Sequence, residues 1–330
     1  MTHQIEPPVP DTDDPVAAVR NAALPESVGP LLEAYEAVLG GRDPYLWKWL
    51  AHLFPTFTLS TVEDRRRPQV QEAKFLASLF VTVADDLAEK HGDRSTFEEA
   101  GKIPFDRYAV DVERDGVDTD VVRYLEDVWA AFTDAITDSP RLAEFGDLLW
   151  FDLQQIVQAI RYTAIVSDHL EFVSEAGLWR HDVHNMMICF YADIDLVNAG
   201  AIEPTELATL REMVHRTQRM GRICNWLVTW ERELSEGDPI SGVVVRALET
   251  DIVSIDQLRA LQRSPTGETV DPVVDAIRES DIEDQFLARW QREYDEAQQL
   301  AADIDSVDAD AYLEAFEDIL VYHVESRDLL

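Results

Sequence analysis

A chain of 330 residues, 46% of them hydrophobic and 9% aromatic, is long enough to bury one large core or two modest ones and is no disordered tail. It carries 65 acidic against 28 basic residues, a net charge of −37, which excludes nucleic acid and anionic membrane surfaces as partners. The acids are spread along the whole chain, the pattern of adaptation to high salt, where screening makes a large like-sign charge tolerable.

In chain order, residues 1–30 read as a weakly ordered, acidic and proline-rich leader, opening "MTHQIEPPVPDTDDP" and lacking the basic and apolar segments of a signal peptide. From residue 31 apolar residues recur at three- and four-residue intervals in nearly every segment. Examples are "RRPQVQEAKFLASLFVTVADDLAEK", "VVRYLEDVWAAFTDAI", "PRLAEFGDLLWFDLQQIVQAIRYTAIVSDHLEFV" and "EPTELATLREMVHRTQRMGRICNWLVTWERELSEG". Breaks are expected at Gly40-Gly41, Pro55, Ser139-Pro140, Gly177, Gly200 and Gly237-Asp238-Pro239. No alternating strand pattern and no internal repeat interrupts this, so the expectation is a single all-α domain over 31–330. The longest apolar run, "FLASLFVTVA" at 75–84, is about half a membrane span, so a soluble, cytoplasmic protein is expected. Cys189 and Cys224 sit in apolar surroundings and read as small buried hydrophobes in a reducing compartment.

Two polar clusters stand out from this helical background. "FVTVADDLAEKHGD" places Asp85, Asp86 and Glu89 at the end of an apolar helix, with Asp85 and Glu89 one turn apart on one face. Carboxylates at the end of a buried helix need cations nearby. "NWLVTWERELSEGD" puts Asn225, Thr229, Arg232 and Glu233 within an arc of about 100° on one helix. An amide oxygen, a hydroxyl and a carboxylate one turn apart suit Mg²⁺, which takes further ligands from water and phosphate. An arginine in the same stripe makes sense when the metal holds a phosphate whose outer oxygens it can bind.

Asp85-Asp86-Leu87-Ala88-Glu89, followed about 140 residues later by Asn225, Thr229 and Glu233, resembles the two metal motifs of class I terpene synthases of the microbial type. The resemblance extends over most of residues 40–330 and implies a single-domain helical bundle around a central pocket. One departure lies inside the second motif, where Trp226 replaces the family's usual aspartate at a position that is not a metal donor. By position, Arg180 corresponds to the family's diphosphate-sensing arginine, although the residues after it, "HDVHN", depart from the pattern. Arg327 stands where the family carries an arginine–tyrosine pair, here Arg327-Asp328. His181 and His184 lack a third ligand for a tetrahedral metal site and read as satisfied polar residues near the diphosphate end.

The resemblance implies about three Mg²⁺ ions, with Mn²⁺ as an alternative, between Asp85, Asp86 and Glu89 on one helix and Asn225, Thr229 and Glu233 on another. These would bind the diphosphate of a linear C15 or C20 isoprenoid and, with Arg180, Arg232 and Arg327, favour its departure to leave an allylic cation. Cyclisation in an apolar, aromatic pocket would follow, with Phe75, Phe80, Trp150, Phe151, Phe190 and Tyr191 as the expected lining. Two alternatives stay open: a chain-elongating or head-to-head condensing enzyme of the same fold, and a non-catalytic isoprenoid-binding protein. A homodimer is likewise open.

Overall fold

The structure, a computed structural model, describes residues 15–326. The described residues contain fifteen α-helices: α1 (Pro15–Arg20), α2 (Gly29–Val38), α3 (Pro44–Leu53), α4 (Arg67–Ala88), α5 (Arg94–Ala100), α6 (Thr119–Thr137), α7 (Leu142–Asp168) and α8 (Glu175–Arg180), then α9 (Ile188–Asn198), α10 (Leu207–Glu236), α11 (Gly242–Glu249), α12 (Ile255–Arg263), α13 (Gly267–Arg278), α14 (Ile282–Ala301) and α15 (Ala309–Glu325). Among these residues the only β pairing is an isolated bridge between Val62 and Ala199. The all-α expectation holds. No helix of the described residues is long and apolar enough to cross a membrane.

Helix ends follow local chemistry. Asp43 caps α3 by accepting from the Tyr45 amide at 2.8 Å, with Pro44 in the first turn, where a missing N–H costs nothing. Gly237, at φ 87°, ends the 30-residue α10 in the left-handed conformation that a side chain would disfavour. Helix formation starts earlier than expected. The leader anticipated over 1–30 is helical from Pro15, and Val19 and Val28 are fully buried; residues 1–14 lie outside the described residues. The pattern read as one helix through Val173 ends at Asp168, giving way to a 3₁₀ turn and the short α8.

The core is organised around α9, in which every residue is buried. It packs against α4, α7 and α10, and its polar side chains each meet a partner. Asp195 pairs with Lys74 of α4 at 2.9 Å with both side chains fully buried, and also accepts from the Leu59 amide. Asp193 receives Arg211, and the Asn198 amide oxygen accepts from Ser139. Cys189 and Cys224 are free and buried, as expected.

Burial penalises the charged forms of Lys74 and Asp195 alike, and their mutual attraction is the largest offset, joined at Asp195 by the Leu59 amide. Asp195→Asn should therefore cost about 3–5 kcal/mol in urea unfolding by leaving a buried ammonium unpaired, whereas Lys74→Met combined with Asp195→Leu should recover most of the loss.

Candidate active site

A cavity of about 850 Å³ opens between α3, α4, α10 and α15. Its polarity is divided between its two ends. The rim is built from Asp85, Asp86 and Glu89 of α4, Asn225, Arg232, Glu233 and Glu236 of α10, and Asp238 just beyond. The interior is apolar, with Leu50, Leu53, Phe54, Phe57, Val81, Ile188, Tyr191, Phe316 and Ile319 among its walls.

The helical period explains the arrangement. Ser78, Val81, Thr82, Asp85 and Glu89 share one face of α4, so a single helix supplies both wall and rim. Asp85 accepts a hydrogen bond from Asn185 Nδ2 at 3.0 Å. Burial, reinforced by the neighbouring Asp86 charge and opposed by Arg42, lifts its carboxyl to about 6. Glu89, one turn further along the same face and exposed at its edge, is held well above the ordinary value by desolvation at the crowded helix end and then by the charges of Asp85, Asp238 and Asp182. On the facing wall Glu233 is pushed up to about 7, by burial first and then by Asp238. Thr229 lies buried between Asn225 and Glu233 on the stripe, its hydroxyl donating to the Asn225 carbonyl at 2.8 Å.

Arginines bracket these acids. Arg42 grips Asp86 through Nε and Nη2, at 3.0 and 2.5 Å. The preceding Gly40 and Gly41, both at positive φ, turn the chain from α2 into α3 and set that arginine over the end of α4. Arg222 of α10 holds the fully buried Asp182 through two hydrogen bonds of 2.7 and 2.5 Å and donates to Asn225 Oδ1 at 2.7 Å. Arg232 pairs with Glu236 at 2.7 Å and lies 3.9 Å from Glu233.

The structure thus brings Asp85, Asp86, Glu89, Asn225, Arg232 and Glu233 to one end of the cavity, with Thr229 buried behind them on α10. Arg180 is exposed and does not line it, and Arg327 lies outside the described residues. Sequence reading missed Arg42, Asp182, Asn185 and Arg222. Arg222 was detectable as the residue one turn before Asn225, and Asp182 and Asn185 belong to the "HDVHN" segment that departs from the family pattern. The two histidines of that segment remain outside the rim. His181 packs on Tyr162, and His184 meets Gln218 at 3.4 Å.

The expected aromatic lining needs correction. Of the six residues named, only Tyr191 lines the cavity. Phe80 points to the opposite side of α4 from Asp85 and packs on Trp129, which also meets Trp150. Phe75 meets Trp47, Phe190 meets Phe132, and Phe151 is 55% exposed. The aromatic wall comes instead from Trp49, Phe54 and Phe57 in and just after α3, and from Phe316 of α15.

The rim residues fit a hard divalent cation. Their donors are all oxygen, and the acids are crowded enough that burial and mutual repulsion raise Asp85, Glu89 and Glu233 together. Among the described residues no three of His, Cys, Asp and Glu converge closely enough to hold an ion alone. Mg²⁺ at such a rim would draw remaining ligands from water and a phosphate, its usual habit.

No protein-family model matches the sequence, and no curated protein matches it. The fold is shared with solved structures. A polyprenyl synthetase from Streptomyces coelicolor A3(2) superposes with a TM-score of 0.59 at 15% identity, covering 93% of this chain and 95% of that one. A geranylgeranyl pyrophosphate synthetase from the archaeon Geoglobus acetivorans gives 0.55 at 14% identity, covering 93% and 98%. The farnesyl diphosphate synthase of T. brucei gives 0.56 at 11% identity, covering 93% of each chain. The chain therefore has the all-helical fold of the isoprenyl diphosphate synthases.

Trp226, the departure inside the second motif, faces away from the cavity. Its ring is buried against Trp179 and Phe286, with centroids at 4.8 and 5.6 Å. Gly242, the first residue of α11, makes room for it, since a Cβ there would come within 2.3 Å of the indole. Gly242→Ala should lower stability by about 1–3 kcal/mol in urea melts, and adding Trp226→Leu should return part of that loss.

Proposed function

We propose that the protein is a divalent-metal-dependent enzyme that ionises an isoprenyl diphosphate. One observation carries the reading: a rim of oxygen donors and arginines stands at the mouth of an apolar, aromatic cavity. A linear isoprenyl diphosphate has the same two-part chemistry, a highly charged head on a hydrocarbon chain.

In this reading Asp85 and Glu89 on one wall, and Asn225, Thr229 and Glu233 on the other, hold the metal. Bound there, Mg²⁺ supplies Lewis acidity to the departing diphosphate. Arg222 is aimed by Asp182, so its charge stands fixed beside Asn225 and needs no reorganisation as the leaving group gains charge. Arg232 adds a second positive group at the rim, and we assign the diphosphate contact to these two arginines rather than to the solvent-facing Arg180. Below the rim, Trp49, Phe54, Phe57 and Phe316 exclude water and offer ring faces that stabilise positive charge without attacking it.

Two fates of the allylic cation are each favoured by a specific observation. The solved structures of this fold named above are prenyl diphosphate synthases by description, which favours transfer of the cation to a second isoprenoid and chain elongation. The mixed amide, hydroxyl and carboxylate donors of α10, which resemble those of terpene synthases, favour cyclisation. The comparisons weigh toward the first.

Purified protein in molar KCl, which screens its surface charge, would be given Mg²⁺ and C10, C15 or C20 isoprenyl diphosphates, with and without isopentenyl diphosphate. Diphosphate release that stops on chelation is expected, and Asp85→Asn or Glu233→Gln should reduce it at least ~100-fold. Longer prenyl diphosphates formed only with isopentenyl diphosphate would establish elongation, and cyclic hydrocarbons formed without it would establish cyclisation. Isoprenoid binding with no diphosphate release under any condition would leave a non-catalytic binding protein.

A further inference from the structure

Ionisation leaves a carbocation that must lose a proton or capture water, and one side chain in the cavity is built to accept that proton. His323 of α15 is 3% exposed and lines the cavity beside Trp49, whose ring it meets edge-on with centroids 4.8 Å apart. Its Nδ1 lies 2.9 Å from the Ile319 carbonyl oxygen. That oxygen can only accept, so Nδ1 carries the ring proton and Nε2 bears the lone pair. His323 lines the cavity, and with Nδ1 committed to Ile319, Nε2 is the ring nitrogen left to serve it. Burial pushes the imidazole down to about 4, so near neutral pH the ring is uncharged and its lone pair is free.

Its surroundings are also suitable. Contacts between the α3 region and α15 run along the cavity wall, Trp49 with His323 and Phe57 with Phe316, so His323 stands among the hydrocarbon walls formed by Trp49, Phe316 and Ile319. The hydroxyls that line the cavity are weaker bases than a neutral imidazole. Ser78 and Tyr191 bond each other at 2.7 Å, and Ser78 also donates to the Lys74 carbonyl.

We propose that His323 Nε2 is the base that ends the reaction. The inference rests on the reading of this site as one that ionises an isoprenyl diphosphate. A C–H bond on the carbon beside the cationic centre breaks, and its electron pair becomes the new C=C bond. The proton forms an N–H bond with the Nε2 lone pair. The resulting imidazolium returns its proton to diphosphate or solvent as the products leave.

The test compares wild type, His323→Ala and His323→Gln in the full chain, with Mg²⁺ and C10, C15 and C20 isoprenyl diphosphates, with and without isopentenyl diphosphate. Diphosphate release and the ratio of proton-loss to water-capture products are measured separately. In both variants that ratio should fall at least about tenfold. Added imidazole should restore it in His323→Ala, while pyrrole, of the same size but without a basic lone pair, should not. Should His323→Ala fail to fold by circular dichroism, the ratio in His323→Gln decides. An unchanged ratio, or equal restoration by pyrrole, overturns the role of His323 and leaves the ionisation reading standing. Absence of metal-dependent diphosphate release in the wild type overturns that reading and this inference with it.

Discussion

Carboxylates from two separate helices face one another across the mouth of a cavity, and their repulsion must be contained before anything else about the site can work. Two arginines do most of that. Arg42 closes on Asp86 at the end of α4, and Arg222 joins α10 to the buried Asp182 while touching Asn225. Each is fixed by more than one hydrogen bond, so the brackets are directional as well as charged. The acids left over, Asp85, Glu89 and Glu233, are those whose carboxyls rise furthest toward neutrality at the rim. A site with unspent negative charge and fixed arginines is preorganised for a cation that arrives together with a phosphate.

The division between rim and interior depends on the same helices. α4 carries Asp85 and, on the same face, Thr82, Val81 and Ser78, so the change from charged to apolar occurs along one rigid element. Beneath the floor, Lys74 lies 5.2 Å from the Phe57 ring, a positive charge close to where an allylic cation would travel. Asp195 neutralises it at 2.9 Å. The Lys74–Asp195 pair therefore ties α4 to α9 without imposing a net charge on the cavity above.

The departures of this chain from its terpene synthase resemblance acquire physical meaning in three dimensions. Trp226 is a packing residue matched to Gly242 on the side of α10 away from the cavity. The "HDVHN" segment, unlike its family counterpart, contributes Asp182 to Arg222 and Asn185 to Asp85. Changes at both places leave the oxygen donors together.

Helical class, the polar cluster at the end of α4 and the polar stripe of α10 were legible from the sequence, because 3.6-residue periodicity and i, i+4 spacing are local properties of the chain. That α1 begins at Pro15, inside the stretch read as a leader, was obscured because Pro15 and the prolines before it in the sequence read as a break. Phe75 and Phe80 were misassigned to the cavity, since an apolar helix buried on several sides does not announce which face meets a void and which meets another helix. Arg42 and His323 line the cavity, and Asp182 acts on it through Arg222, from elements far apart in the chain, and no spacing rule links them to Asp85 or Glu233. The amino-acid sequence by itself determined which side chains could supply oxygen donors and on which helices they would stand. Only the tertiary structure decided which arginines hold them, which aromatics wall the cavity and which histidine lines it, because those are relations between helices that meet through packing rather than through neighbouring positions.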